Sequence, residues 1–289
     1  MPELPEVETV RRGLEALIIG KKVQVVTHNT EKSFPNAPSD VKEFLVGASI
    51  TNVRRRAKVL LVDVSTDYSL VIHLKMTGQL VFVGEMRFGA GHPNDSLINS
   101  LPDKSTRVEI TFDDNSKLFF NDQRKFGWVK LMPTVEILNI DFMKKVGPEP
   151  LEADFTKEEF RERFARRART NIKAAILDQT VVAGVGNIYA DESLWGAKIH
   201  PKRLVASITN KEFDQLYTEL RAVMNLSIEK GGSSNHTYIN AEGKRGSYMD
   251  FAKVFRREGQ TCPRHPDVVI EKIRVAGRGT HICPVCQKI

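Results

Sequence analysis

A proline directly follows the initiator methionine in the opening MPELPEVETV, and glutamates stand at positions 3, 6 and 8. If Met1 is removed, Pro2 becomes a terminal secondary amine. An amine held near neutrality is a nucleophile toward a carbonyl or a sugar C1′, and Glu3 beside it could move protons. Ordinary helix entry explains the same residues, since Pro5 suits a first helical turn and early glutamates suit the N-terminal dipole. The opening alone does not choose between the two.

A second group with chemistry lies in the tail. Cys262-Pro-Arg-His265 is followed by Cys283-Pro-Val-Cys286, a C-x₂-H-x₁₇-C-x₂-C pattern. Paired ligands on both sides suit a tetrahedral structural zinc on two β-hairpin turns. The three cysteines of the chain all fall here, and an odd count argues against a disulfide framework. His265 is the weaker ligand, and a passive loop histidine is its alternative.

Four further features could meet a polyanion. GVGN at 184–187 places flexible glycines before a helix, where backbone N–H groups and the Asn187 amide could bind phosphate. A plain turn with Asn187 as N-cap is the alternative. Met76 in KMTG and Phe126 in QRKFG each neighbour a loop glycine and could enter a base stack, with Arg124 filling the gap of an extruded base. Both also suit a core. Lys58 ends the basic run RRRAK ahead of a strong strand, as a phosphate contact, a proton-transfer group or a solvated flank.

The elements that must position these residues follow from periodicity. Val7, Val10, Leu14, Leu17 and Ile18 predict a helix over about 5–19 that stops at Gly20. Short runs rich in branched and aromatic residues follow, from KVQVVTH to GWVKLM, and read as a sandwich or barrel. The polar stretch 84–104 reads as a long loop. After Pro133 the texture turns helical, with Thr156 and Glu159 forming a capping box and further helices at about 172–179, 188–197 and 210–230. The fold class is therefore α+β. An N-terminal β-sandwich with its helix covers 1–133, an all-α part covers 134–232, and 233–289 carries the zinc-binding tail.

The 289 residues carry a formal net charge of +7, spread over basic clusters at 54–58, 161–169, 244–246 and 255–257. Scattered basic patches on a folded chain suggest nucleic acid. No apolar run approaches a membrane span of ~18–20 residues, and no signal-peptide core is present. A cytosolic protein that acts as a monomer, without a membrane, is the expectation.

In order along the chain, PELPEVETVRRGL, RRAK, HLKMTG, RKFG, LDQTVVAGVGNIYADE, GGSS and VAGRGTHICPVC resemble the bacterial formamidopyrimidine-DNA glycosylase family. The resemblance implies a helix–two-turn–helix domain and a zinc-finger hairpin. It also implies a bifunctional glycosylase and abasic-site lyase that removes oxidised purines from double-stranded DNA. Pro2 would form a Schiff base with C1′ and drive β,δ-elimination, with Glu3 as general acid and base. Lys58 would contact phosphate and transfer protons, and Arg278 would assist elimination. Met76, Arg124 and Phe126 would probe the duplex, and Lys173 and Asn187 would hold phosphates. Arg107 and Arg169 are likewise expected at DNA, and 233–249 as a loop over the flipped base.

Leu4 favours this branch over endonuclease VIII-like relatives that act on oxidised pyrimidines; a non-catalytic damage binder is the reading from another class. The sequence departs from the family in four places: His265 and its one-residue-longer gap, Lys104-Ser-Thr-Arg107 in place of a histidine-containing basic motif, a long 84–104, and Asn235 with His236 in the expected loop.

Overall fold

Apolar residues three and four apart fix the first helix. In the computed structural model, which describes residues 1–233 and 248–289, α1 spans Leu4–Ile18 and buries Leu4, Val7, Val10, Leu14 and Ile18. The chain then turns through Gly20, whose φ of 84° is left-handed and costs glycine little.

Chain order continues with β1 (Val23–His28), α2 (Pro38–Phe44), β2 (Ile50–Arg56), β3 (Val59–Val64), β4 (Tyr68–His73), β5 (Gly78–Val83), β6 (Arg87–Gly91), β7 (Thr106–Phe112), β8 (Lys117–Asp122) and β9 (Trp128–Pro133). Two antiparallel sheets result, ordered β1-β7-β8-β5-β6 and β2-β3-β4-β9. Residues of both sheets share one core with Val7, Val10, Leu14 and Ile18 of α1, so the expected sandwich with its helix is present.

Period-two alternation is visible in β3. Leu60, Val62 and Val64 enter that shared core, while Val59 and Leu61 face outward onto Ile137 and Met143. This second apolar face explains where the first compact unit ends. It spans Met1–Lys144 and takes up the chain again at Lys230, beyond the boundary at 133 that the last strand suggested. The turn Thr134–Asn139 and α3 (Asp141–Lys145) cover the outer face of the sheet.

The expectation of one long loop over 84–104 is corrected. It contains β6 and a 3₁₀ turn at Asp95–Leu97. The strand was hidden because Gly89 and Gly91 weaken its propensity, and tertiary contacts make it. Phe88 lies over Gly13 of α1, where any Cβ would overlap the ring. Arg87 then knits the following residues by donating to the carbonyls of Ser96, Leu97 and Asn99 at 3.3, 3.1 and 2.6 Å. Likewise, much of the basic run 54–58 is strand: Arg54 in β2 pairs with Asp63 in β3 at 2.7 Å.

The second unit holds Lys145–Glu229 and Tyr248–Ile289. Its helices are α4 (Lys157–Ala165), α5 (Ile172–Leu177), α6 (Asn187–Gly196) and α7 (Asn210–Glu229). The Thr156 hydroxyl caps α4 by accepting from Glu159 N–H at 3.1 Å. Two hairpins follow, β10 (Thr261–Cys262) with β11 (His265–Val269) and β12 (Glu271–Val275) with β13 (Arg278–Ile282). Ala276 and Gly277, at φ 51° and 71°, form the two-residue turn that a right-twisted hairpin favours.

Gly13→Ala should test the contact that creates β6. Over-packing of this kind costs about 1–3 kcal/mol, so the thermal midpoint should fall while the second unit's zinc content stays unchanged.

Candidate functional site

Helix entry and the expected chemistry fall on the same residues. Pro2 and Glu3 are both buried at the head of α1. The Glu3 N–H donates to Glu6 Oε2 at 2.8 Å. Glu6 Oε1 accepts from Ser233 N–H at 2.9 Å, just after Gly231 and Gly232 at φ 78° and 88°. Glu6 was expected only to serve the helix. It also fixes the Glu3 backbone to the chain following α7.

Glu8 is the hub that shapes the turn before Lys58. Burial would raise its pKa, but hydrogen bonds and charge from Arg11, Arg12 and Arg55 hold it below the usual carboxylate range. Arg55 reaches Glu8 Oε2 at 3.1 Å and donates to the Ala57 carbonyl at 2.9 Å. Ala57 is left-handed, at φ 52°, and Lys58 beside it is only 6% exposed. His73 feels the same cluster. Burial first, then the charges of Lys75 and Lys58, push its pKa down to about 3, so it is a neutral imidazole near pH 7.

Met76, Arg124 and Phe126 come together on the surface of the first unit. Arg124 lies over the Phe126 ring at 4.8 Å from its centroid, with Nη1 3.2 Å from Met76 Sδ. Met76 and Phe126 are 41% and 44% exposed, so neither is a core residue. Arg107 is different. It is buried, with its guanidinium donating to the Asp122 and Thr106 carbonyls at 2.8 and 3.1 Å. It props the loop from behind rather than facing solvent.

In the second unit Asn187, Lys173 and Arg278 converge on one hairpin. Asn187 opens α6 and its amide donates to the Gly279 carbonyl at 2.9 Å. Lys173 was expected at a phosphate, and that expectation is corrected. It is fully buried, with Nζ 2.5 Å from Asp191 Oδ1 and 2.7 Å from Thr280 Oγ1. Apolar surroundings require such a charge to be paired. Asp191 also accepts from His281 N–H and lies 3.0 Å from His281 Nδ1. The pair thus braces β13, while Arg278 and Arg169 stand exposed. Gln179 staples the Gly-rich turn between α5 and α6, accepting from Gly184 N–H and donating to the Val185 carbonyl at 2.9 and 2.8 Å.

The tail residues meet as the spacing required. Ligand atoms of Cys262, His265, Cys283 and Cys286 all lie within 4.8 Å of one another. His265 Nδ1 is 3.9, 3.8 and 3.2 Å from the sulfurs of Cys262, Cys283 and Cys286, and two of the sulfurs are 3.7 Å apart. A tetrahedron with Zn–S bonds of ~2.3 Å has edges of about 3.8 Å. The donor set fits, and the tail is a Cys₃His site for one structural zinc. Arg264 and Cys286 donate their backbone N–H groups to the sulfurs of Cys262 and Cys283 at 3.4 Å, which is why paired spacing matters. Burial and the neighbouring Cys283 and Cys262 push the Cys286 thiol up to about 12, so all three sulfurs ionise together only around a cation.

Sequence reasoning passed over Asp122, Asp191 and Glu192. Glu192 is almost fully buried and accepts from the backbone N–H groups of Lys253, Val254 and Phe255 at 2.8–2.9 Å. Burial raises its pKa, against the pull of those donors. The signal was available, since adjacent acids in an otherwise apolar helix need partners. The expected loop with Asn235 and His236 lies outside the described residues.

Three family descriptions match in sequence. Residues 1–129 match the formamidopyrimidine-DNA glycosylase N-terminal domain, 146–238 its H2TH domain, and 268–289 a zinc finger found in FPG and IleRS. The formamidopyrimidine-DNA glycosylase of Pelotomaculum thermopropionicum is 40% identical over the whole of both chains, and that of Pediococcus pentosaceus 42% over 99% of each. Among solved structures, Lactococcus lactis Fpg with DNA containing an abasic site superposes with a TM-score of 0.86 at 36% identity, over 99% of this chain and 100% of that one. MutM with DNA containing carbocyclic 8-oxo-G gives 0.85 at 35%, over all of both. The chain belongs to the formamidopyrimidine-DNA glycosylase family.

Purified protein should contain about one zinc per chain, and His265→Ala should lower that occupancy by metal analysis. Unchanged zinc content and unchanged DNA affinity would exclude His265 as a ligand.

Proposed function

We propose that this chain excises oxidised purines, 8-oxoguanine and formamidopyrimidines, from duplex DNA and then cleaves the strand at the abasic site, as the first step of base-excision repair. The observation that carries the reading is the placement of Pro2 and Glu3. They are buried side by side at the head of α1, with the Glu3 backbone held by Glu6, in a chain related to these glycosylases over its whole length. Relatives crystallised with Fapy-dG, carbocyclic 8-oxo-G and abasic DNA support the substrate class.

With Met1 removed, Pro2 would carry the terminal α-amino group, and such groups titrate at ~8 in model peptides, close enough to neutrality for a fraction to be free base. Its lone pair attacks C1′, the bond to the damaged base breaks, and the base leaves with its electrons and a proton. Glu3 protonates the sugar ring oxygen as the ring opens. A secondary amine then gives an iminium, charged without an added proton. That electron sink acidifies C2′, so proton loss there expels the 3′ phosphate. A second elimination expels the 5′ phosphate, and water releases Pro2.

Lys58 would contact the phosphate near the reacting sugar, and Arg278 the phosphates that leave. Met76, Arg124 and Phe126 would occupy the gap left by the flipped base. Exposed Arg169 and the start of α6 at Asn187 suit backbone phosphates. Lys173 is a buried prop behind β13, and Arg107 is one behind the loop that carries Arg124. Among the described residues no helix is long and apolar enough to cross a membrane. A monomer working on chromosomal DNA in the bacterial cytoplasm fits the reading.

Borohydride should trap the protein covalently on DNA containing 8-oxoguanine. Pro2→Gly should fold normally and lose nearly all trapping; full lyase activity in that variant would remove Pro2 from the mechanism.

Glu3→Gln keeps the volume and removes the proton donor. Single-turnover base excision should fall by about 10²–10⁴-fold while lesion binding persists. Near-normal turnover would assign the proton transfer elsewhere.

A further inference from the structure

We infer that Asp122 is a positioning residue that sets the spacing between Met76 and the Arg124–Phe126 pair, and so determines how well the gap in the duplex is filled. The inference rests on the proposed reading that these three side chains occupy that gap.

Asp122 is fully buried at the end of β8. Its Oδ2 accepts from the Phe126 and Gly127 N–H groups at 2.8 and 2.6 Å. Its Oδ1 accepts from Arg124 N–H at 3.2 Å and from the Thr77 hydroxyl. Thr77 Oγ1 in turn accepts from the same Arg124 N–H at 3.0 Å. Thr77 follows Met76 directly in sequence. One carboxylate therefore joins the loop that carries Met76 to the loop that carries Arg124 and Phe126.

The anchor itself is rigid. Asp122 N–H donates to the Ser105 carbonyl at 2.8 Å, its own carbonyl accepts from Arg107 Nε at 2.8 Å, and it pairs with Gly78 across β8 and β5. Gly127 has no room for a side chain, since a Cβ would stand 2.8 Å from the Phe120 ring and 3.1 Å from Asp122 Oδ2. With the loop floor fixed, the outward face presents Met76, Arg124 and Phe126 in mutual contact.

Donor count makes the arrangement sensitive to atom type rather than to volume. A carboxylate offers acceptors only, and here three N–H groups and one hydroxyl converge on it. An asparagine amide has two N–H donors of its own. Whichever way it turned, it would aim them at other donors and push one loop away from the other. Thr77→Val removes the hydroxyl that bridges the loops, and Thr77→Ser keeps it.

The experiment places 2-aminopurine in the strand opposite a tetrahydrofuran abasic analogue. Its fluorescence change on protein addition reads gap filling without any chemistry. Excision of 8-oxoguanine from duplex and incision at a preformed abasic site are measured beside it, with thermal midpoint and zinc content as checks on folding. Asp122→Asn should lose most of the fluorescence change, and excision should fall at least tenfold and by more than incision. Thr77→Val should shift both readouts the same way, and Thr77→Ser should restore them.

A wild-type fluorescence change in Asp122→Asn overturns the inference. So does an equal loss of excision and incision with the fluorescence change retained. If Asp122→Asn does not fold, the Thr77 pair decides, and a wild-type response in Thr77→Val overturns it. A wild-type protein that neither excises nor traps would overturn the proposed activity, while the fluorescence comparison would still read the role of Asp122.

Discussion

A carboxylate removed from water must collect hydrogen-bond donors, and this constraint organises the molecule wherever a reactive or recognising side chain has to be held. Glu6 collects backbone amides from Glu3 and Ser233, Asp122 those of the Arg124 loop, and Glu192 those of 253–255. Asp191 collects Lys173 and His281. Glu6 and Asp122 each fix a loop to the helix or sheet behind it, Glu192 fixes the 253–255 segment to α6, and Asp191 joins α5 to β13. Loops carry the working groups because they are exposed. The buried acid is how a loop becomes as stiff as the sheet or helix behind it.

The sandwich, its helix and the zinc tail were legible because they rest on local rules. The 3.6 spacing of Val7, Val10 and Leu14, the alternation of β3 and the paired cysteine spacing each act over a few residues. Met76 and Phe126 each stood close to a loop glycine, but that local pattern suited a core as well, and it was the family resemblance that brought them and Arg124 forward. What stayed illegible was decided at long range. β6 exists because Phe88 meets Gly13, 75 positions earlier in the chain, and its own glycines argue against a strand. Lys173 was expected at a phosphate because the family resemblance implied it, and nothing in the residues around it in sequence shows its burial. Its partners Asp191 and Thr280 come from α6 and β13, and only the folded unit reveals them.

Zinc in this chain is a structural device with reach. The knuckle residue Arg264 stacks on Trp195 with 3.8 Å from guanidinium to ring centroid and donates to the Trp195 and Gly196 carbonyls at the end of α6. Gln287 ties the other knuckle to the Ile199 carbonyl and the Cys283 N–H. One end of the metal site is thus fastened to α6, the helix that opens at Asn187, and the other to Ile199, three residues beyond that helix's end. An imidazole in place of one thiolate leaves the site less negative, which suits a hairpin that presents Arg278.

Lys75 and Lys125 both adopt left-handed backbone, at φ 51° and 56°, in the two loops that carry Met76, Arg124 and Phe126. Such a conformation costs a non-glycine residue of order 1–3 kcal/mol, and the folded scaffold bears that cost before any duplex arrives. Backbone already held in this shape has less entropy to lose on contact. On the proposed reading that these loops fill the gap in the duplex, the compliance of the encounter would fall on the nucleic acid, and a base step that unstacks readily would yield to them sooner than a well-stacked one. Recognition on these terms would begin as a mechanical comparison of stiffness, ahead of any reading of the base itself.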